Sequence, residues 1–260
     1  MAETGRPEIL FPLFAGLETL EGVGPKIARN LAGLSVASPK DLLLTLPTGG
    51  IDRARKLSIR DAEIPGTVTV EVTVGRHRAS TGRGPYRVEV EDARTRFQLV
   101  FFHARDDYLK RLLPTGARRV VSGKVELFDG VAQMVHPDHV LAPEEAGSLP
   151  DFEPVYPLTS GVTQKVMHKA VHSALARAPD LTEWIEPELK RQKGWPDWRA
   201  ALGHAHNPQG HEDVSRSAKA RERLAFDELF AHQMTLALAR QSRRRQKGFA
   251  TCGDGRLRQK

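Results

Sequence analysis

The sequence predicts an α+β fold: an N-terminal helical hairpin, a five-stranded OB-fold barrel, and a helical linker that ends in a long amphipathic helix. Three observations carry this. Residues 56 to 140 hold three runs with the two-residue period of β-strands, then a stretch with helical spacing, then two more strand runs, and that is the element order of an OB barrel. Leu20-Glu21-Gly22-Val23-Gly24-Pro25-Lys26 stands just before an apolar-periodic stretch with Ile27, Leu31 and Leu34, as at a turn between two helices. Residues 217 to 245 place Phe226, Leu229, Phe230, Met234, Ala237 and Leu238 on one helical stripe. The expected segments are 1–52 (helical, with the hairpin-like turn), 53–142 (barrel), 143–213 (linker with prolines and tryptophans) and 214–260 (amphipathic helix).

In the first segment, Pro25 suits the first turn of a helix, and the two glycines leave backbone N–H groups exposed at its start. Two readings stay open: the turn grips a phosphate, with Lys26 adding charge, or it only reverses the chain between packed helices. Asp41 to Leu46 then reads as a short helix ended by Pro47.

Along the barrel, Val68, Val70, Val72 and Val74 alternate onto one face, and Tyr86, Val88 and Val90 follow. The stretch TRFQLVFFHARDDYLK, residues 95 to 110, is the most informative. Phe97, Leu99 and Phe101 share a core-like face, whereas Arg96, Gln98, Val100 and Phe102 share a half-wet one. Phe102 therefore shares a face with an arginine and a glutamine, where a ring can stack on a base for about 1 to 3 kcal/mol. The competing reading makes both rings core. Residues 104 to 113 follow with helical spacing and carry Tyr108, and a hairpin turns at Asp129-Gly130. The loop from Ala79 to Pro85 is glycine-rich and basic; Arg83 and Arg87 either follow a phosphate backbone or belong to a solvated hairpin.

In the linker, Pro154 to Leu158 is expected to be extended, a helix runs from about Gln164 to Arg177, and Trp184, Trp195 and Trp198 anchor short helices. His204, His206 and His211 form no helical i, i+4 pair and have no cysteine nearby, so no metal is expected there. In the last helix, Asp227-Glu228 reads as a solvated or capping pair, and Arg243-Arg244-Arg245 with Lys247 places charge at the C-terminal end before Gly248.

Charge is unevenly placed. The net +7 divides into 4 basic against 6 acidic side chains over residues 1–52, 16 against 8 over 53–124, 7 against 14 over 125–213, and 12 against 4 over 214–260. The potential that attracts polyanions is thereby confined to the central block and the tail. A single cysteine, Cys252, excludes an intramolecular disulfide. No apolar run approaches the ~18 to 20 residues that span a bilayer, and the start lacks a secretory leader, so a cytoplasmic protein is expected. There is no G-x-x-x-x-G-K-[ST], G-x-S-x-G, H-E-x-x-H or G-x-G-x-x-G after a strand, so no catalytic residues and no ATP hydrolysis by this chain alone are expected.

GVGPK at Gly22 to Lys26, LP…DR at Leu46 to Arg53, FF at Phe101-Phe102, SGKVE at Ser122 to Glu126, HP at His136-Pro137, VYPLT at Val155 to Thr159 and ARERLAFDELFAHQM at Ala220 to Met234 together resemble the N-terminal region of the RecG family of ATP-dependent, branch-migrating DNA helicases. The resemblance implies that the barrel is a wedge at a stalled fork or Holliday junction, acting in recombination and repair. Phe101 and Phe102 match the wedge aromatics that cap parting base pairs, and Tyr108 is a weaker candidate. Arg96, Arg83, Arg87 and Lys26 remain the candidate DNA-binding cations from the reading of the residues themselves. Implied partners are branched DNA, helicase motor lobes in cis or trans, and a single-stranded-DNA-binding protein; ATP and Mg would bind the motor, which this chain lacks.

Three departures from the pattern stand out. Thr48-Gly49-Gly50-Ile51 replaces an aromatic before Asp52, His103 replaces an asparagine after the FF pair, and the motor lobes would begin near where the sequence stops, as in a fragment or a truncated product. The competing function is an OB-fold interaction module that docks on a motor or on single-stranded-DNA-binding protein without touching DNA.

Overall fold

The computed structural model describes residues 5–79 and 84–244. Two short 3-10 turns, Glu8–Phe14 and Leu17–Thr19, lead into α1 (Pro25–Leu31), with Gly24 at the N-cap and Pro25 in the first turn. The entering arm of the expected hairpin is thus 3-10 rather than α, in keeping with Pro12 and Gly16, which interrupt it. Helix α2 (Pro39–Leu44) starts two residues before the expected Asp41, because the Asp41 carboxylate accepts from the backbone N and hydroxyl of Ser38 (both 2.9 Å) and so caps the first turn. Strands β1 (Gly49–Asp52) and β2 (Arg55–Lys56) follow.

The barrel is built from β3 (Gly66–Arg78), β4 (Tyr86–Glu91), β5 (Arg96–Phe101), α3 (Asp106–Leu112), β6 (Arg118–Phe128) and β7 (Val131–Val135). Strand β3 is long enough to pair antiparallel with both β4 and β6, and it shifts register between Val74 and His77. Strand β5 runs parallel to β7, which pairs back on β6, so the ring closes in the order β3-β4-β5-β7-β6. Two short strands widen the sheet to seven: β2 parallel to β3, and β8 (His139–Leu141) antiparallel to β6. The β6–β7 turn holds Asp129 at φ 48° and Gly130 at φ 74°, the left-handed pair that a two-residue hairpin requires. The barrel core contains the four alternating valines of β3, Tyr86, Val88, Val90, Phe97 and Leu99, with Leu109 and Leu113 from α3 and its end.

Strand β9 (Phe152–Val155) pairs antiparallel with β1, and then come α4 (Gln164–Leu175), α5 (Pro187–Lys193), α6 (Trp198–His206) and α7 (Lys219–Arg244). A second core joins residues from both sides of the barrel: Leu13, Leu20, Leu31, Leu42 and Leu43 pack with Tyr156, Met167, Val171, Leu202 and Leu224. His206 is buried within it. Its Nε2–H donates to the Leu43 carbonyl (3.0 Å), which leaves Nδ1 to accept from the Tyr156 hydroxyl (2.9 Å). Burial holds this imidazole neutral and lowers its pKa to about 4, although the bond to Leu43 works the other way. The unusual Gly49-Gly50 pair has a packing reason. The Phe152 ring of β9 occupies the place beside Gly50, where an added Cβ would lie 2.0 Å from a ring carbon.

Barrel and helical body are joined by a buried ion network. Arg53, 4% exposed, pairs with Glu153 of β9, with Asp138 (3.0 Å) and with the Ser122 hydroxyl of β6 (2.8 Å). Burial alone would raise the Glu153 pKa, but hydrogen bonds from His139 and Arg53, together with the Arg53 charge, hold it at about 2. Removing one partner of such a network leaves an uncompensated buried charge, at a cost of about 3 to 5 kcal/mol.

The start of α7 packs into the helical core through Ala220 and Leu224, and Phe226 and Phe230 of its apolar stripe meet the Trp184 ring. Farther along, Leu229 (65%), Met234 (45%) and Leu238 (60%) are exposed. Among the described residues, no helix is long and apolar enough to cross a membrane. The expected stop at Gly248, with Arg245 and Lys247, lies outside the described residues.

Candidate nucleic-acid interface

Successive residues of a strand face opposite ways, and at the end of β5 this separates two adjacent rings: Phe101 is 7% exposed and closes the barrel core, while Phe102 is 44% exposed. The strand stops there because His103 adopts φ 57°, a left-handed conformation that asparagine and histidine tolerate better than most residues. That accounts for the replacement of the expected asparagine by histidine without loss of the turn. Just past β7, His136 is also left-handed (φ 47°). Its backbone N donates to the Val100 carbonyl (2.9 Å), and its Nε2 accepts from the Phe102 backbone N (3.1 Å). The imidazole lies 5.8 Å from the Phe102 ring and edge-on to Phe101 at 6.1 Å.

An open groove of about 790 Å³ runs between this turn, α3, the segment after β7 and the start of α4. Phe102 and Tyr108 (54% exposed) line it together with Arg105, Arg111, His136 and Lys165. Among the described residues, none of these three cations forms an ion pair. The Arg111 guanidinium donates only to the Asp107 carbonyl one turn back, at 3.3 Å. Asp138, the one carboxylate in the lining, is held by Arg53.

Phe102 and Tyr108 are therefore brought together, with Phe101 in the groove wall. Arg96 is not. It lies at the opposite end of β5, six residues from Phe102, which is roughly 20 Å along a strand, and its guanidinium pairs with Glu91 at 3.1 Å. Arg87 lies half-buried across from Val100 on the same outer face, where Arg78 pairs with Glu89. Val100, expected to be half-wet, is 2% exposed. Its neighbours explain this: it is flanked by Arg87 of β4 and Val135 of β7, so it has sheet partners on both sides.

Arg83 lies outside the described residues. Lys26 is exposed on α1, away from the groove lining. The turn that precedes it docks on α4: the Glu21 backbone N donates to the Ser173 hydroxyl (3.1 Å), Lys169 pairs with Glu21 (3.3 Å), and Arg177 bonds to the Thr19 carbonyl.

Four lining residues were absent from the expected cations and rings: Arg105, Arg111, Lys165 and His136. Arg111 had a usable signal, since it follows Tyr108 by three residues on one helix and i, i+3 side chains are neighbours. Lys165 and His136 reach the groove only because the chain folds back.

A second ring-and-arginine cluster corrects one expectation. Asp227 is not solvated: it pairs with the fully buried Arg223 and accepts from Trp184 Nε1 (3.0 Å). Trp184 stacks on Phe230 (4.5 Å) and Phe226 (5.7 Å), and Arg223 also meets Glu183 at 2.9 Å. Among the described residues, no group of three or more histidine, cysteine or acidic side chains is placed to hold a metal.

Comparison with known proteins agrees with this architecture. The family model described as the RecG wedge domain matches residues 17–177. The chain is 28% identical over 235 residues to the ATP-dependent DNA helicase RecG of Pasteurella multocida, covering 86% of this chain and 33% of that protein. It is 29% identical over 236 residues to the RecG of Escherichia coli strain K12, with the same coverage. Among solved structures it resembles RecG bound to a three-way DNA junction, with a TM-score of 0.70 and 25% identity, covering 95% of this chain and 34% of that one. The chain thus spans about a third of the length of the curated relatives it matches. With the family model covering more than half of its residues, this chain belongs to the RecG wedge domain family.

Proposed function

We propose that this chain is a branched-DNA-binding, strand-separating module of a RecG-like helicase, with Phe102 and Tyr108 stacking on bases that unpair at the branch and Arg105, Arg111 and Lys165 holding the adjoining phosphates. The groove carries this reading: two exposed rings and three cations that form no ion pair among the described residues share one concave surface. Such a surface supplies what single strands need, a flat apolar platform and a charged track. The likeness to a RecG seen on a three-way junction supports the choice of branched over linear DNA. Arg96 and Arg87 remain outlying phosphate contacts for an arm that runs along the β4–β5 face. The helicase activity of the whole protein, with ATP and Mg in motor lobes, and its role in recombination and repair, extend the same reading.

The exposed stripe of α7 favours a second, compatible role. Leu229, Met234 and Leu238 form an exposed apolar face beyond the Trp184–Phe230 stack, suited to the motor lobes of a RecG-like helicase. Contact with a single-stranded-DNA-binding protein would be a further partner of the same module.

Gel-shift titration of the chain against a three-way junction and a linear duplex of equal length tests the proposal. Tighter binding to the junction, weakening steeply with salt, is expected. Equal affinity for the two DNAs would sink it.

A further inference from the structure

We propose that His136 is a positioning residue of this interface: its neutral imidazole holds Phe102 in the orientation that stacks on an unpaired base, and protonation releases it. The proposal rests on the stacking role given to Phe102 above.

The argument starts from the end of the β5–β7 ladder. The backbone N of His136 continues that ladder by donating to Val100 (2.9 Å), but its left-handed φ of 47° then takes the chain out of strand conformation. The ladder has no next rung, and the backbone N of Phe102 is left beyond the last pair, Val100 with Val135. The imidazole Nε2 supplies the acceptor in its place, at 3.1 Å. Fixing that N–H fixes the direction of the Phe102 side chain from the backbone. With its centroid 5.8 Å from the Phe102 ring and 6.1 Å from the Phe101 ring, the imidazole also limits the space into which Phe102 can rotate.

This bond depends on one tautomer. A neutral imidazole with its proton on Nδ1 accepts at Nε2, whereas an imidazolium has two donors and no acceptor. Protonation would set an N–H against an N–H. The titratable and charged groups facing His136 in the groove are His103 from the turn after β5, Arg105, Tyr108 and Arg111 from α3 and its approach, Asp138 and His139 from beyond β7, and Lys165 from α4. Asp138 is engaged by Arg53, so the cations predominate.

A junction carrying a fluorescent base analogue at the branch reports stacking directly, as quenching. His136→Ala should reduce junction preference roughly two- to tenfold, the effect of losing one hydrogen bond, and should remove most of the quenching. His136→Gln, whose side-chain oxygen reaches as far as Nε2, should restore both. It should also make them insensitive to acidification, which in the wild type removes the Nε2 acceptor and should lower the preference. All variants are read below their lowest unfolding temperature.

Wild-type quenching in His136→Ala, identical pH profiles for wild type and His136→Gln, or a greater loss in the Phe102→Ala/His136→Ala pair than in Phe102→Ala alone would each overturn the proposal. Phe102→Ala serves as the separating control. If it binds and quenches like wild type, the stacking role itself fails; if it loses both while His136→Ala keeps them, only the positioning role fails.

Discussion

The Trp184 cluster and the Phe102 groove are made of the same kinds of side chain, yet they are opposite in state. In the first, Arg223 is fully buried, pairs with Glu183 and Asp227, and underlies a tryptophan whose N–H is also satisfied. In the second, Arg105, Arg111 and Lys165 form no ion pair among the described residues, and Phe102 and Tyr108 face solvent. Rings beside arginines therefore do not identify a nucleic-acid site. What separates the two is whether the charges already have carboxylate partners: a paired guanidinium contributes to stability, and an unpaired one is available to a phosphate.

Substitutions should divide along that line. The largest effect is expected from Arg223→Ala, which leaves the partly buried Asp227 without its cation and Glu183 with only the more distant Lys190 (3.8 Å); urea unfolding should show a loss of about 3 kcal/mol or more, with junction preference of the folded protein unchanged. Next is acid. The pKa of His206 is lowered to about 4 by burial, below an unfolded value near 6.5, so the unfolded chain binds the extra proton first. The stability it contributes is complete above about pH 6.5 and falls away towards pH 4, by about 3 kcal/mol. Glu153 behaves as a depressed carboxylate: its contribution is present above its ordinary range near 4.5 and disappears only as pH falls through about 2. Urea titrations at a series of pH values should therefore show two separate losses, and His206→Gln should flatten the upper one.

In the groove the expected balance reverses. Phe102→Ala should weaken junction binding by about 1 to 3 kcal/mol while changing unfolding stability little; a variant that unfolds early but keeps its junction preference would make the ring a core residue. Changing Arg105, Arg111 and Lys165 to glutamine should lower the slope of log affinity against log salt by roughly 0.7 to 0.9 for each phosphate that is no longer neutralised. The smallest effect on stability belongs to the exposed stripe of α7, where Leu229→Ser should stay within about 0.5 kcal/mol in the isolated chain.

Much of the barrel was legible because its elements have strong local periods. The valines of β3, the Asp129-Gly130 turn and the helical spacing of Leu109 and Leu113 each imply their own conformation. The split between Phe101 and Phe102 was legible for the same reason, since alternation needs no knowledge of the rest of the molecule. The grouping of Arg96 with Phe102 was misleading. Alternation establishes a shared face, but it is blind to the distance along the strand and to Glu91 across the ladder. Asp227 looked solvated because the sequence shows a carboxylate in a helix and not the Trp184 segment that folds over it from 43 residues away.

By itself, then, the sequence determined the order of the main barrel elements, the alternation that buries the valines of β3 and divides Phe101 from Phe102, and the placement of positive charge in the central block and tail. These follow from steric preferences and solvent transfer within a few residues of chain. Only the tertiary structure decided that Leu13 to Leu43 and Tyr156 to Leu224 share one core, that Arg53 joins that body to the barrel, and that His136 and Lys165 meet Phe102 in one groove. Such meetings are between residues tens to more than a hundred positions apart. They depend on which closure of the chain buries its charges in pairs, and no local pattern records that choice.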